Sequence, residues 1–314
     1  MTLAAVVIGR NEGARLVACL EALQGQVAQI VYVDSGSTDG SVAAAEQRGA
    51  QVIALDMSQP FTAARARNAG LAALNPDIVY VQLLDGDCVL RKNWLETAQA
   101  FLDQSPKAAI ACGRRRERHP QVSPYNALID AEWETPVGRA KACGGDALMR
   151  VSAVQGVQGY RETLIAGEEP ELCVRLRQDG WEIWRLDAEM TWHDAAITRF
   201  AQWWQRSKRA GHAFAEGASL HGAPPERHWV AETRRALLWG FGLPCAIVIA
   251  AMLISGWAFL LIFIYPAQVV RLARGHGMRW AFFTTLGKLP EAIGALQFYK
   301  NRLTRQRGKL IEYK

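Results

Sequence analysis

The 314-residue chain has six cysteines, at 19, 88, 112, 143, 173 and 245, with no Cys-x-x-Cys pair and no framework spacing among them. That excludes a disulfide scaffold and points to a reducing compartment. No basic n-region precedes the short apolar run Met1 to Gly9, so the N-terminus is expected to be a first strand rather than a signal peptide. No low-complexity segment or internal repeat is visible, and Gly-x-Gly-x-x-Gly is absent, which argues against an ordinary dinucleotide fold. Nor is there a charged residue between Arg235 and Arg271. A diffuse basic surface is lacking too. Of the net charge of +6, the stretch from Arg271 to Lys314 carries ten Lys/Arg against two Glu, leaving the first 270 residues slightly acidic. A tail of that kind suits an anionic surface better than nucleic acid, and no nucleic-acid partner is expected.

What is present is an alternation of apolar strands and helices. Leu3 to Ile8, Ile30 to Val33, Gln51 to Leu55 and Ile78 to Leu84 read as strands, separated by helices with Leu16, Val17, Leu20 and Leu23 on one face and over residues 62 to 74. This order predicts an α/β fold with a mostly parallel, Rossmann-like sheet and helices on its faces. Ligands of such sheets collect at the carboxyl ends of the strands. Asp34 ends the second strand and opens a Ser/Gly loop, and Asp85-Gly86-Asp87 ends the fourth. Paired carboxylates at that position suit a hard divalent cation carrying a substrate's phosphates, Mg²⁺ or Mn²⁺, although a polar turn would read the same way. Asp34 fits a nucleotide contact and an Asx-turn equally well. Arg65 and Arg67 lie on the helix before the fourth strand, suited either to a diphosphate or to solvent.

Further along, Ala108 to Cys112 is a candidate strand, and Arg114 to Arg116 is a cluster suited to phosphate or to solvent. Gly144-Gly145 suggests backbone approached closely by a ligand or another strand. Pro170 and Gly180 delimit a short helix from about Pro170 to Asp179, with Glu168 and Glu169 at its N-terminus. The helix dipole there would keep a carboxylate ionised, as a general base requires. Residues 181 to 193 look like a strand pair or strand and turn that returns His193 to the acids as a further metal ligand. Trp203 and Trp204 with Arg206 make an aromatic and basic segment, suited to sugar and phosphate or to a membrane interface.

In this order the pieces resemble the family 2 inverting glycosyltransferases of the GT-A fold. The resemblance is carried by Val7 to Glu12, Val33-Asp34-Ser35-Gly36-Ser37-Thr38-Asp39, Arg67-Asn68-x-Gly70, Leu84-Asp85-Gly86-Asp87, Gly159-Tyr160-Arg161-Glu162, and Gly167 to Leu172 with Arg175 and Gly180. It implies that Asp34 contacts the nucleotide base, Asp85 the ribose or the metal, Asp87 the metal, completed by His193, and that Glu169 is the base. It also implies a divalent cation, Mn²⁺ or Mg²⁺, a UDP- or GDP-sugar donor, and a saccharide acceptor carried on a polyprenyl lipid. Arg67 is assigned to the donor, and Glu168, Gly144, Gly145, Trp203 and Arg206 to acceptor or phosphate. Where the family usually has Glu-Asp this chain has Glu168-Glu169. The Gln-x-x-Arg-Trp signature of processive members is not matched by residues 202 to 206, so addition of a single sugar is expected. Two alternatives are a polyprenyl-phosphate sugar synthase and a catalytically silent membrane scaffold.

Leu237 to Val270 is 34 residues of nearly unbroken apolar sequence, where one span needs about 20. Ser255-Gly256 near its middle favours a helical hairpin or re-entrant element. Arg227, Arg234 and Arg235 before it and Arg271, Arg274 and Arg279 after it place both ends in the cytoplasm, at the inner membrane. The expected organisation is a GT-A catalytic domain over 1–232, a membrane-embedded segment over 233–272 and a basic amphipathic tail over 273–314.

Overall fold

A computed structural model of the chain describes residues 2–305 and residue 311. Its contacts divide it into two compact units, one of residues 1–164 and 168–196, the other of residues 165–167 and 197–314. Residues from 197 onward fall in the second unit because the long helix Phe200–His221 packs with the helix Lys288–Leu303.

The first unit is built on β1 (Leu3–Gly9), α1 (Ala14–Glu21), β2 (Gln29–Asp34), α2 (Ser41–Gln47), β3 (Gln51–Ala54), α3 (Ala63–Ala72), β4 (Tyr80–Asp85), β5 (Cys88–Leu90), α4 (Trp94–Gln104), β6 (Ala108–Glu117), α5 (Pro124–Glu132), β7 (Gly138–Ala140), β8 (Leu148–Arg150), α6 (Val151–Gly156), α7 (Glu168–Gln178) and β9 (Glu182–His193). The nine strands form one sheet in the order β3-β2-β1-β4-β8-β6-β9-β5, with β7 paired to β9. β3, β2, β1 and β4 are mutually parallel, and β6 runs parallel to β9. Ala4, Ala5, Val6 and Val7 of β1 are completely buried, as a strand covered by helices on both faces must be. The chain winds outward from β1 to β3 and then returns to β4 on the other side of β1. That reversal opens a crevice at the carboxyl ends of β1 and β4. The register sets Gly9 opposite Asp34 and Ile8 opposite Asp85, so the two acids flank the end of β1.

Two expectations are corrected in this unit. Residues 181 to 193 form no strand pair; they are a single twelve-residue strand, β9, which lies between β6 and β5 and is therefore paired along both edges. The arginines at 114 to 116 belong to the far half of β6, and each is paired with an acid: Arg114 with Glu134, Arg115 with Asp146, and Arg116 with Asp130 at 3.1 Å.

The second unit is helical. α8 (Phe200–His221) crosses the helix Lys288–Leu303 where each offers a glycine: a Cβ at Gly211 would collide with the Glu291 carbonyl oxygen, and one at Gly294 with that of Lys208. Two helices, Val230–Leu253 and Gly256–His276, are long and apolar enough to cross a membrane. They separate near Ser255 and are tied by a 2.6 Å hydrogen bond from the Tyr265 hydroxyl to the Trp239 carbonyl. Leu253, Ile254 and Trp257 are each about four-fifths exposed. The expected amphipathic tail is helical over Met278–Leu286 and Lys288–Leu303 and buries Ala281, Thr285, Ala292 and Ala295 within the unit. Its last part, residues 306–310 and 312–314, lies outside the described residues.

Candidate functional site

The centre of the first unit's crevice is a single buried arginine. Arg67 stands on α3, and α3 is drawn tightly onto the sheet at Gly70, where a Cβ would collide with Val6 Cγ1. Its guanidinium, 3% exposed, reaches Glu168 Oε1 at 2.8 Å, Asp85 Oδ1 at 2.9 Å and Glu169 Oε1 at 3.0 Å. From sequence Arg67 suited a diphosphate or solvent; in the structure it joins the strand-end acid to the two helix acids. Burial alone would lower its pKa, but Glu169, Asp85 and Glu168 outweigh that and raise it, so the cation is fixed.

One positive charge shared among three carboxylates leaves the group anionic, and the protonation of Glu169 reflects this. Its pKa is pushed up to about 7, first by burial and next by Glu168, while Arg67 pulls the other way. α7 begins at Glu168, two residues before the expected start at Pro170, so Glu169 does lie in the first turn. The dipole there does not hold it at an ordinary carboxylate value, because desolvation and a neighbouring charge are larger effects. A carboxylate with a pKa near neutrality, 14% exposed, is suited to take a proton from an acceptor.

Neighbouring motifs hold this group in place. Asn68 donates to the Tyr160 carbonyl at 2.8 Å and to Glu162 Oε1 at 3.0 Å, and accepts from the Tyr160 amide at 2.8 Å. Arg175 binds Glu171 at 2.8 Å and the Gly159 carbonyl at 2.7 Å. Glycine is required at 145, where a Cβ would collide with Arg67 Nη2 and lie 2.9 Å from Glu169 Oε1; at 144 it would press on Arg115. Gly144 and Gly145 thus admit the side chains of Arg115 and Arg67, where the sequence pointed to a ligand or another strand.

Asp34, 6% exposed, accepts from the amides of Gly36 and Ser37 at 3.0 Å and from the Tyr32 hydroxyl at 3.1 Å. The Asx-turn is therefore formed. Asn11, which sequence reasoning passed over as one member of a longer motif, ties this loop to the first: its amide donates to Ser37 Oγ at 2.9 Å and its Oδ1 accepts from the Thr38 amide at 2.7 Å.

The candidate metal ligands come together differently from the expected set. Asp87 Oδ1 lies 3.1 Å from His193 Nε2, and with Cys88 they form a group whose ligand atoms are all within 4.8 Å of one another. Asp85, expected among them, turns its Oδ1 to Arg67 instead. His193 is delivered by β9, where it sits opposite Cys88 on β5 and Glu117 on β6. Glu117, 1% exposed, then fastens the chain beyond it by accepting from the Ala195 amide at 2.9 Å. The Trp133 ring lies 4.8 Å from that of His193, with Arg115 over its other neighbourhood at 5.1 Å. Neither Glu117 nor Trp133 stands in a recognisable motif, so sequence alone gave no signal for them. The acid and imidazole suit a divalent cation, and the buried His193 Nδ1 has no hydrogen-bond partner among the described residues.

Trp203 and Arg206 lie on α8, in the second unit. The Trp203 indole is 4% exposed and packs on Phe200 at 5.4 Å and on Phe283 at 5.1 Å, which makes it a core residue of that unit and leaves no open face for a sugar.

Comparison with known proteins agrees with this architecture. Residues 5–141 match Glycosyl transferase family 2. The chain is 27% identical over 205 residues to the TPR repeat-containing protein Synpcc7942_0270 of Synechococcus elongatus, covering 54% of this chain and 50% of that protein. It is 32% identical over 170 residues to the pre-mycofactocin glycosyltransferase of Mycobacterium tuberculosis, covering 50% of this chain and 35% of the relative. The matches thus span half or less of the length of these curated relatives. Among solved structures, the mannosyltransferase PcManGT from Pyrobaculum calidifontis, in complex with GDP-Man and Mn²⁺, superposes with a TM-score of 0.66 at 20% identity, over 94% of this chain and 87% of that one. That likeness is one of fold. The chain carries a glycosyl transferase family 2 domain, set in a GT-A fold.

Proposed function

We propose that the chain is an inverting glycosyltransferase that moves one sugar from a nucleotide-diphosphate sugar, of the UDP or GDP class, to a saccharide acceptor carried on a polyprenyl diphosphate. The observation that carries the proposal is the junction of Arg67 with Asp85, Glu168 and Glu169 at the carboxyl ends of the strands, with one of those acids poised near neutrality. Glu169 takes the proton of an acceptor hydroxyl as that oxygen attacks the anomeric carbon, and the nucleoside diphosphate leaves from the opposite face. Arg67 fixes the direction of the carboxylate. Asp34 and its loop are assigned to the nucleoside, and Asp85 to its ribose; both acids flank the end of β1. Asp87 and His193 would hold a divalent cation, Mn²⁺ or Mg²⁺, which when bound neutralises charge on the departing diphosphate. Glu168 and the Gly144-Gly145 backbone are assigned to the acceptor.

The two apolar helices support attachment to the inner membrane, and the arginines before and after them favour the cytoplasmic face for the catalytic unit and the C-terminus. An acceptor held at that face by its lipid needs no long reach. The test is transfer from a panel of nucleotide sugars with Mn²⁺ to lipid-linked saccharides and to polyprenyl phosphate alone. The proposal expects product with the saccharide acceptor, loss of transfer in Asp87→Asn, and loss with EDTA. Transfer to polyprenyl phosphate alone would make the chain a polyprenyl-phosphate sugar synthase. Neither transfer nor donor hydrolysis under any condition would make it a scaffold.

A further inference from the structure

The Asp87, Cys88 and His193 group differs from an all-oxygen cation seat by one nitrogen and one sulfur, and we propose that it also takes thiophilic divalent metals, Zn²⁺, Co²⁺ or Cd²⁺, through Asp87 Oδ1, Cys88 Sγ and His193 Nε2. The inference rests on the reading of Asp87 and His193 as a cation seat and adds to it a ligand of a different chemical class.

Three observations support it. Cys88 and His193 are directly opposed in the antiparallel β5–β9 pair, so their side chains leave the same face of the sheet. Asp87 Oδ1 lies 3.1 Å from His193 Nε2 and 3.8 Å from Cys88 Sγ. A tetrahedral ion with nitrogen and oxygen ligands at about 2.0–2.1 Å and sulfur at about 2.3 Å sets an O···N edge of about 3.3 Å and an O···S edge of about 3.5 Å. The two edges are thus within a few tenths of an ångström of a bound geometry, a gap that side-chain rotation closes. The surroundings agree as well: Cys88 is fully buried, Asp87 is 5% and His193 9% exposed, and His193 Nδ1, buried with no hydrogen-bond partner among the described residues, leaves the imidazole able to turn onto an ion.

A hard cation makes little use of sulfur and takes the carboxylate, the imidazole and the oxygens of a substrate diphosphate. A thiophilic ion instead sits deeper, on the thiolate: the Cys88 S–H bond breaks, its proton passes to the buffer, and the sulfur lone pair binds the metal. Occupied in this way, the seat excludes the harder cation.

The experiment is a Co²⁺ titration of the full-length protein, read as thiolate-to-cobalt charge-transfer absorption, in the unsubstituted chain, in Cys88→Ser and in Cys19→Ser. The last removes a neighbouring buried thiol, 3.9 Å from the Asp85 carbonyl, that the proposal leaves unused. The band is expected at one equivalent in the unsubstituted protein and in Cys19→Ser, and absent in Cys88→Ser, with Zn²⁺ affinity reduced at least about 10-fold. No band in the unsubstituted protein, or an undiminished band in Cys88→Ser, overturns the proposal. Should Cys88→Ser fail to fold, His193→Ala replaces it, and an undiminished one-equivalent band there overturns the proposal equally. Because the readout needs no turnover, a band without sugar transfer refutes the proposed function alone, and transfer without a band refutes the metal inference alone.

Discussion

Arg67 decides the chemistry of the site at the scale of single residues. Its one charge serves Asp85, Glu168 and Glu169 together, which is too little to keep all three ionised at low cost. Glu169 therefore holds its proton up to about pH 7 in the folded chain, against an ordinary value of 4.5. Between those two values the folded state binds more protons than the unfolded one, so stability falls as pH rises from about 4.5 to about 7 and levels off above. Glu169→Gln should remove that slope, giving a higher Tm than the unsubstituted chain at pH 8 and little difference at pH 4.5; a Tm difference independent of pH would contradict the assignment. Glu168→Gln takes away a charge that raises the Glu169 pKa, so the acid limb of kcat/KM should move to lower pH. Asp34, Asp85, Asp87, Glu169 and His193 stand out as candidates in the sequence, because each ends a strand, opens a helix or recurs in a motif. Which acids Arg67 pairs with is not legible there. Residues more than 100 positions apart, 67 and 168, meet where Gly145 leaves room for the Arg67 guanidinium.

Among elements, the motifs act as clamps between segments. Arg67-Asn68-x-Gly70 works because Gly70 brings α3 against β1 while Asn68 fastens the segment containing Tyr160 and Glu162. Gly70→Ala should gain about 0.5–1 kcal/mol in helix propensity but lose about 1–3 kcal/mol through overpacking against Val6. A net loss in denaturant midpoint is expected, and a gain would show that the close approach is not required. The four N-terminal strands were readable to within about two residues from their apolar runs. β9 reads from sequence as a strand pair or as a strand and turn because Asp187 and Glu189 interrupt its apolar pattern, and its pairing along both edges is a tertiary property. The start of α7 was misplaced for a local reason. Proline was taken as the first helical residue, but it is tolerated throughout a first turn, where amides lack intrahelical partners.

For the whole molecule, the apolar run was the plainest feature of the sequence, and the structure resolves it into two helices meeting near Ser255. What the sequence did not reveal is that α8 and the helices after the apolar pair belong to one unit, since the backbone crossings at Gly211 and Gly294 leave no periodic signature. A hairpin with both ends in the cytoplasm predicts that Lys314→Cys, a position outside the described residues, escapes a membrane-impermeant thiol reagent in intact cells and reacts after lysis. Labelling in intact cells would reverse the topology.

The account as a whole depends on the acid held by Arg67 acting as the base. The most direct test is single-turnover sugar transfer by Glu169→Gln alongside donor binding in the same preparation. General-base assistance is worth ~10²–10⁴-fold, so transfer should fall by at least that range with donor affinity preserved. Near-normal transfer by the variant would contradict the account.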